Sequence, residues 1–145
     1  MAYSHVGHDC LLGDDVVLAN GVQLGGHVQI EASVTIGGSS AVHQFVRIGT
    51  YAFVGGGSRV VQDVPPYTRA AGNPLRLYGI NSVGLARAGL DPKRRFCLKR
   101  AWRLLFNSKL RLSEAMERVR EEYGELPEVR RLIEFIEQSR RGIPA

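Results

Sequence analysis

Every sixth residue from Val6 to Val60 is aliphatic: Val6, Leu12, Leu18, Leu24, Ile30, Ile36, Val42, Ile48, Val54 and Val60. Glycine follows in six of these ten cases, at Gly7, Gly13, Gly25, Gly37, Gly49 and Gly55. Four positions after each aliphatic stands a small or branched residue, from Cys10 and Val16 through Ala52 and Ser58 to Val64. A helix places apolar residues at a spacing of about 3.6 and an amphipathic strand alternates them; neither has a period of six. Six residues make one short strand and one bend. Three such units close a triangular coil, and coils stack at the strand spacing of about 4.8 Å. The aliphatic residue and the small residue four later point inward, while the glycine is expected to ease the bend.

The third and fourth residues of each repeat fall at the corners, and most are turn formers. Residues 18 apart stack in columns. One corner column reads His8-Asp9, Gly26-His27, Gln44-Phe45, Gln62-Asp63, and a second reads Asn20-Gly21, Gly38-Ser39, Gly56-Gly57. The first is rich in reactive side chains and the second is nearly bare.

The six-residue pattern stops at Pro65-Pro66, and Ala71-Gly72-Asn73-Pro74 is expected to turn the chain away. Asp91-Pro92 then reads as an N-cap with proline at the first helical position. This opens a helix that runs to about Asn107. Ser113 is expected to cap a second helix, with Met116, Val119 and Tyr123 inward. Pro127 begins a third, carrying Val129, Leu132, Ile133 and Ile136 on one face, with Gly142 past its end. A shorter helix fits 81–87. The division is thus a solenoid over residues 1–77 and a helical appendage over 78–145. The appendage is too small for a strong core of its own and should pack on the solenoid or on a neighbouring subunit.

Charge follows the same division. The net charge of +5 arises beyond residue 65, because residues 1–65 hold two arginines, Arg47 and Arg59, against five acids. No apolar run approaches the roughly 20 residues of a membrane span. Cys10 and Cys97 lie far apart in unlike segments, and the N-terminus has no signal-peptide pattern; both fit the cytoplasm. No motif points to nucleic acid.

The four histidines, His5, His8, His27 and His43, all fall in the repeats and near the first corner column. His8 is the candidate general base: an imidazole titrates near ~6.5, and the adjacent Asp9 carboxylate fixes its tautomer and stabilises the imidazolium. Gly26 stacks one coil away, roughly 5 Å along the axis. Its backbone N–H, with no side chain in the way, is placed to donate to a developing oxyanion.

Ser4-His5-Val6-Gly7-His8-Asp9-Cys10, Leu24-Gly25-Gly26-His27-Val28, Ala41-Val42-His43-Gln44-Phe45 and Gln62-Asp63-Val64-Pro65-Pro66-Tyr67 resemble the UDP-N-acetylglucosamine O-acyltransferases. Ile80-Asn81-Ser82-Val83-Gly84-Leu85 and the helical tail fit the same family. The resemblance covers essentially all of this chain and the second half, or somewhat more, of the family's chain. It implies a left-handed parallel β-helix of hexapeptide repeats and transfer of a 3-hydroxyacyl chain from acyl carrier protein to the sugar 3-hydroxyl, the first step of lipid A synthesis. Carried over by position, it makes His8 the base, Asp9 its orienting partner and the Gly26 amide the oxyanion contact. His5, His27, His43 and Gln44 would line the site, Asn81 and Arg87 would approach the nucleotide-sugar, and Gly56 would set acyl-chain length. Ala88 stands where the family often has a second arginine. The resemblance also implies a homotrimer with the site between subunits, and no cofactor. Lys93, Arg94, Arg95, Lys99, Arg100 and Arg103 would steer the acidic carrier protein.

The chain starts inside a repeat with no polar cap, which a solenoid end should carry; a piece of a longer β-helix, with uncertain turnover of its own, is the expectation. Two other functions compete. One is a zinc enzyme of the hexapeptide-repeat carbonic anhydrase type using His5, His8 and His27, and the other is a non-catalytic trimeric module. A related N-acyltransferase of the same pathway differs in the acceptor atom.

Overall fold

The computed structural model describes residues 1–144, and these form a left-handed parallel β-helix followed by four helices. Three flat faces make the prism. The first holds β1 (His5–Val6), β4 (Gln23–Leu24), β7 (Ala41–Val42) and β10 (Arg59–Val60). The second holds β2 (Leu11–Leu12), β5 (Gln29–Ile30) and β8 (Arg47–Ile48), extended by a bridge from Ile48 to Val64. The third stacks β3 (Val17–Leu18), β6 (Thr35–Ile36), β9 (Phe53–Val54), β11 (Thr68–Ala71) and β12 (Arg76–Ile80). Register follows the 18-residue rule, with His5 opposite Gln23, Gln23 opposite Ala41 and Ala41 opposite Arg59.

At each corner the fourth residue of the repeat adopts a left-handed backbone conformation. Asp9 (φ 59°), Asp15 (58°), His27 (58°), Ser33 (62°), Ser39 (60°), Phe45 (66°) and Tyr51 (58°) all do so without being glycine. Such a conformation costs a side chain roughly 1 kcal/mol, and stacking offsets it. Beyond the first coil, the amide of each such residue donates to a corner carbonyl one coil below: His27 to His8 at 2.9 Å, Ser39 to Asn20 at 2.9 Å and Phe45 to Gly26 at 3.0 Å.

The repeat glycines serve a different purpose from the expected one. Gly25 and Gly37 do not carry positive φ. Instead, a Cβ on Gly25 would lie 2.7 Å from the Gln44 nitrogen, and one on Gly37 would lie 2.4 Å from the Gly56 nitrogen. The next coil presses directly on them.

Inward residues are fully buried from Val22 onward, including Leu24, Val28, Ile36, Val46, Ile48 and Val60. In the first coil, which has a neighbour on one side only, Val6 is 44% and Leu12 42% exposed, against 1% for Leu24 and 3% for Ile30 stacked upon them.

The solenoid continues past Pro65-Pro66, where the six-residue pattern stops. The third face gains β11, parallel to β9, and then β12, antiparallel to β11, across a turn containing a cis Asn73-Pro74 bond. The expected division after residue 77 falls inside β12. Helix α1 (Ser82–Arg87) is capped by the Asn81 side chain and α2 (Pro92–Phe106) by Asp91. Ser113 is not a cap: α3 (Leu112–Tyr123) starts one residue earlier, after an extended Arg111 with no side-chain cap. Leu110, just before that start, packs against the helical core. Helix α4 (Pro127–Gln138) begins at proline as expected.

The helices share a second core, built on Leu98, Trp102, Val119, Leu132 and Ile136, which also takes in Tyr67 and Ile80 of the solenoid. Trp102 donates its indole N–H to Thr68 at 3.1 Å inside this junction. Helix α4 crosses the second face. Arg131 pairs with Glu31 at one edge (3.3 Å), Phe135 lies under the Arg47 guanidinium at 4.7 Å, and Ser139 donates to Asp63 at the other edge (2.6 Å). No helix among the described residues is long and apolar enough to cross a membrane.

Candidate functional site

The corner between the first and second faces gathers the reactive side chains. His8 and Asp9 occupy it in the first coil, Gly26 and His27 in the second, and Gln44 and Phe45 in the third. His8 Nδ1 lies 3.1 Å from Asp9 Oδ2, both side chains being largely exposed. With the carboxylate accepting from Nδ1–H, Nε2 carries the lone pair and is the proton acceptor. The His27 ring meets that of His8 edge-on, with centroids 5.0 Å apart, and stacks on Phe45 at 4.8 Å with the planes 6° apart. This stack orients His27, whose Nε2 lies 3.8 Å from Asp9 Oδ2.

Gly26 is required by His8 itself. A Cβ at Gly26 would lie 2.7 Å from both Cε1 and Nε2 of the imidazole. Among the described residues its amide has no hydrogen-bond partner. Other third-position amides of the corners are open as well, Thr50 excepted, whose N–H donates to Glu31 at 2.8 Å. Gly26 differs because a histidine ring covers it. A base nitrogen and an amide without a partner among the described residues thus lie at the same corner, the two groups that proton removal coupled to oxyanion stabilisation calls for.

The other expected residues are distributed unevenly. His43 sits beside the same corner, its Nδ1 3.1 Å from the Gln44 carbonyl, and Gln44 is exposed there. His5 lies on β1 of the first face, outside the histidine cluster. The atoms within 4.8 Å of one another that suit a cation belong to His8, Asp9 and His27, not to the expected trio with His5. Gly56 lies exposed at the bare corner across the first face. Between the two corners runs a shallow cleft of about 370 Å³ lined by the small residues Ser39, Ala41, Gly57 and Ser58 together with Arg59 and Val61, with His43 at one side.

Asn81 and Arg87 are not brought to His8. Asn81 locks to the corner between the second and third faces, donating to the Tyr51 carbonyl at 2.9 Å and accepting from Gly84 N–H at 3.1 Å. Arg87 is exposed in the last turn of α1, beside Ala88. Within one chain α4 lies between these residues and the histidine corner. Of the cations on α2, Arg94 is paired with Glu128 and Arg95 is half-buried, which leaves Lys93, Lys99, Arg100 and Arg103 exposed on that helix.

The family model for UDP-N-acetylglucosamine O-acyltransferase, domain 2, matches residues 63–144, more than half of the chain. The chain belongs to that family. The acyl-[acyl-carrier-protein]–UDP-N-acetylglucosamine O-acyltransferase of Alkalilimnicola ehrlichii is 50% identical over 143 residues, covering 99% of this chain and 55% of its own length. That of Paraburkholderia phymatum is 45% identical over 148 residues, covering 99% and 56%. The chain therefore spans little more than half the length of the curated relatives it matches. The crystal structure of the Moraxella catarrhalis UDP-N-acetylglucosamine O-acyltransferase superposes with a TM-score of 0.93 at 42% identity, over 98% of this chain and 55% of that one.

In this member of the UDP-N-acetylglucosamine O-acyltransferases, sequence reasoning passed over two residues that shape the corners. Phe45, 55% exposed, supplies the ring against which His27 stacks; an aromatic in a corner column of histidines was the available signal. Tyr67 closes the column of Tyr51, their rings 6.5 Å apart. Its hydroxyl is pushed up to about 12, chiefly by burial and next by the nearby Glu128 carboxylate. No local pattern marks that residue as buried.

Proposed function

We propose that this chain carries the acid–base half of an acyl transfer centre and moves a 3-hydroxyacyl group from acyl carrier protein to the 3-hydroxyl of UDP-N-acetylglucosamine. The observation that carries this reading is the His8 imidazole, held through Nδ1 by Asp9 at 3.1 Å and packed on Gly26, whose amide has no partner among the described residues. The activity for which its relatives are named supplies the substrates.

His8 Nε2 takes the proton of the sugar hydroxyl as its oxygen attacks the thioester carbonyl carbon. The carbonyl electron pair moves onto oxygen, where the Gly26 N–H receives it. Collapse re-forms the carbonyl and breaks the carbon–sulfur bond, and the imidazolium returns its proton to the departing thiolate. General base assistance contributes roughly 10²–10⁴ in rate, and one oxyanion donor roughly 10²–10³. His5, His27, His43 and Gln44 flank the reacting groups. The small-residue cleft toward Gly56 takes the acyl chain, and glycine there leaves room for length. The exposed cations of α2 attract the acidic carrier protein.

Because Asn81 and Arg87 stand apart from His8 in one chain, the complete centre forms between subunits of a homotrimer, where Asn81 and Arg87 of the partner subunit meet the nucleotide. The solenoid through β12 acts as the scaffold and the helices that follow it as the recognition part. The reaction belongs to the start of lipid A synthesis in the cytoplasm and uses no cofactor. The test is product identification by mass after incubating the chain with 3-hydroxyacyl carrier protein and UDP-N-acetylglucosamine. An ester that forms with this acceptor and fails to form with its 3-deoxy analogue supports the reading. Equal acylation of both, or of neither, contradicts it.

A further inference from the structure

The histidine corner gathers more donor atoms than proton transfer needs. One atom each from His8, Asp9 and His27 lies within 4.8 Å of the others. Asp9 Oδ2 is the middle member, 3.1 Å from His8 Nδ1 and 3.8 Å from His27 Nε2. A tetrahedral zinc ion, with bonds of roughly 2.0–2.2 Å to imidazole nitrogen and carboxylate oxygen, holds its ligands roughly 3.3–3.5 Å apart. The two observed separations bracket that edge, so small side-chain rotations bring all three donors onto one ion.

The scaffold pre-sets this trio. His8 and Asp9 are consecutive in one coil, and His27 stands over Asp9 in the next, its N–H donating to the His8 carbonyl at 2.9 Å. The His27 ring is held by Phe45, stacked on it at 4.8 Å with the planes 6° apart. All three side chains reach solvent, at 74% for His8, 69% for Asp9 and 42% for His27. An ion therefore enters without opening the fold and keeps water in its fourth position. Two imidazoles and one carboxylate suit zinc and its transition-metal neighbours, whereas magnesium and calcium take oxygen donors.

We infer that His8, Asp9 and His27 bind a zinc-like divalent ion, and that the bound ion takes His8 out of its base form. The ion site stands on geometry alone; its effect on the base rests on the acyl-transfer reading above. In the catalytic arrangement Nδ1 carries the proton and Nε2 the lone pair. An ion between His8 Nδ1 and Asp9 Oδ2 takes the Nδ1 lone pair, so the neutral ring carries its proton on Nε2. The ring gains and loses no proton: one leaves Nδ1 to water and one arrives at Nε2 from water. The Asp9 carboxylate, bound to the ion, no longer orients the ring for catalysis. Nε2–H is a donor and does not accept the proton of a sugar hydroxyl. The ion is thus an inhibitor of the base and no participant in the transfer.

The full chain, freed of metal with a chelator, is titrated with zinc against a chromophoric competitor, and with cobalt as an absorbing substitute. One ion per chain should bind, cobalt should give the intense visible bands of a four-coordinate site, and magnesium should not compete. His27→Gln and Asp9→Asn should each weaken zinc by at least the roughly 10–100-fold that loss of an outer-shell partner costs, and Phe45→Ala, which frees the His27 ring, by about 10-fold. His5→Gln should leave the affinity unchanged. Asparagine accepts the left-handed corner, so Asp9→Asn keeps the test available if a histidine variant disturbs folding. The imidazole nitrogen resonances of His8 should pass from the Nδ1–H to the Nε2–H form as zinc is added. Failure to bind one ion, affinity that survives in both His27→Gln and Asp9→Asn, affinity lost in His5→Gln, or a His8 that keeps Nδ1–H with zinc bound overturns the inference. Zinc held by the trio in a chain that transfers no acyl group would refute the transfer reading and leave the ion site standing. Transfer undiminished in the zinc-loaded chain would overturn the inference and leave the transfer reading intact.

Discussion

At the scale of single residues, close contacts decide which side chains the corner tolerates. Gly26→Ala places a methyl 2.7 Å from the His8 ring, and the ring is the part free to move. Acyl transfer should fall about 10²-fold or more through loss of base alignment, with the circular dichroism spectrum unchanged. An unaltered kcat would mean that His8 does not act from its observed position. Tyr67 gives a second residue-scale expectation. Its phenol, raised from 10.0 to about 12, is buried neutral, so the folded state holds a proton that the unfolded chain loses above pH 10. Its contribution is complete below pH 10 and is lost as the pH rises toward 12, by on the order of 2 kcal/mol. Urea unfolding at pH 9 and pH 11.5 should show this fall in the parent and not in Tyr67→Phe.

At the scale of elements, the solenoid and helices are joined by contacts between residues far apart in sequence. The Asp63–Ser139 bond spans 76 positions and the Arg131–Glu31 pair spans 100. Asp63→Ala leaves the Arg47 N–H unpaired in a buried place and frees the end of α4, so unfolding should become easier by about 2–4 kcal/mol. A change below ~0.5 kcal/mol in denaturant midpoint experiments would show that the tail is not held there. These junctions were not legible in the sequence, because a single aspartate and a distant serine leave no periodic trace. The inward repeat was legible because each coil repeats one packing requirement. Asp91 and Asn81 were legible as helix starts because caps act locally. Ser113 misled because α3 starts one residue earlier with no side-chain cap, and β12 was missed because its five residues follow a turn that read as an exit. The histidine corner could be assembled from the 18-residue rule alone; Phe45 as an orienting ring and the His8 contact with Gly26 needed coordinates.

At the scale of the whole molecule, the residues of the proposed centre lie at two separate corners of one chain, which is why the proposal joins them across subunits. His8 belongs to one corner, while Asn81 and Arg87 lie beyond α4 at another. Mixing inactive His8→Ala with inactive Arg87→Ala chains, after reversible dissociation, should restore part of the parent turnover, since some interfaces then combine two intact halves. Independent sites within each chain would give no recovery. The bulk charge also takes on meaning at this scale: the scaffold is acidic and the helical part basic, so raising ionic strength should raise the KM for acyl carrier protein more than that for the nucleotide-sugar.

The most direct measurement is acyl transfer by the parent chain and by His8→Ala, with the oligomer mass of each determined alongside. The account predicts turnover in the parent and a loss of at least about 10²-fold in the variant, at unchanged trimeric mass. Equal turnover in the two, or none from a well-formed parent trimer, would contradict it.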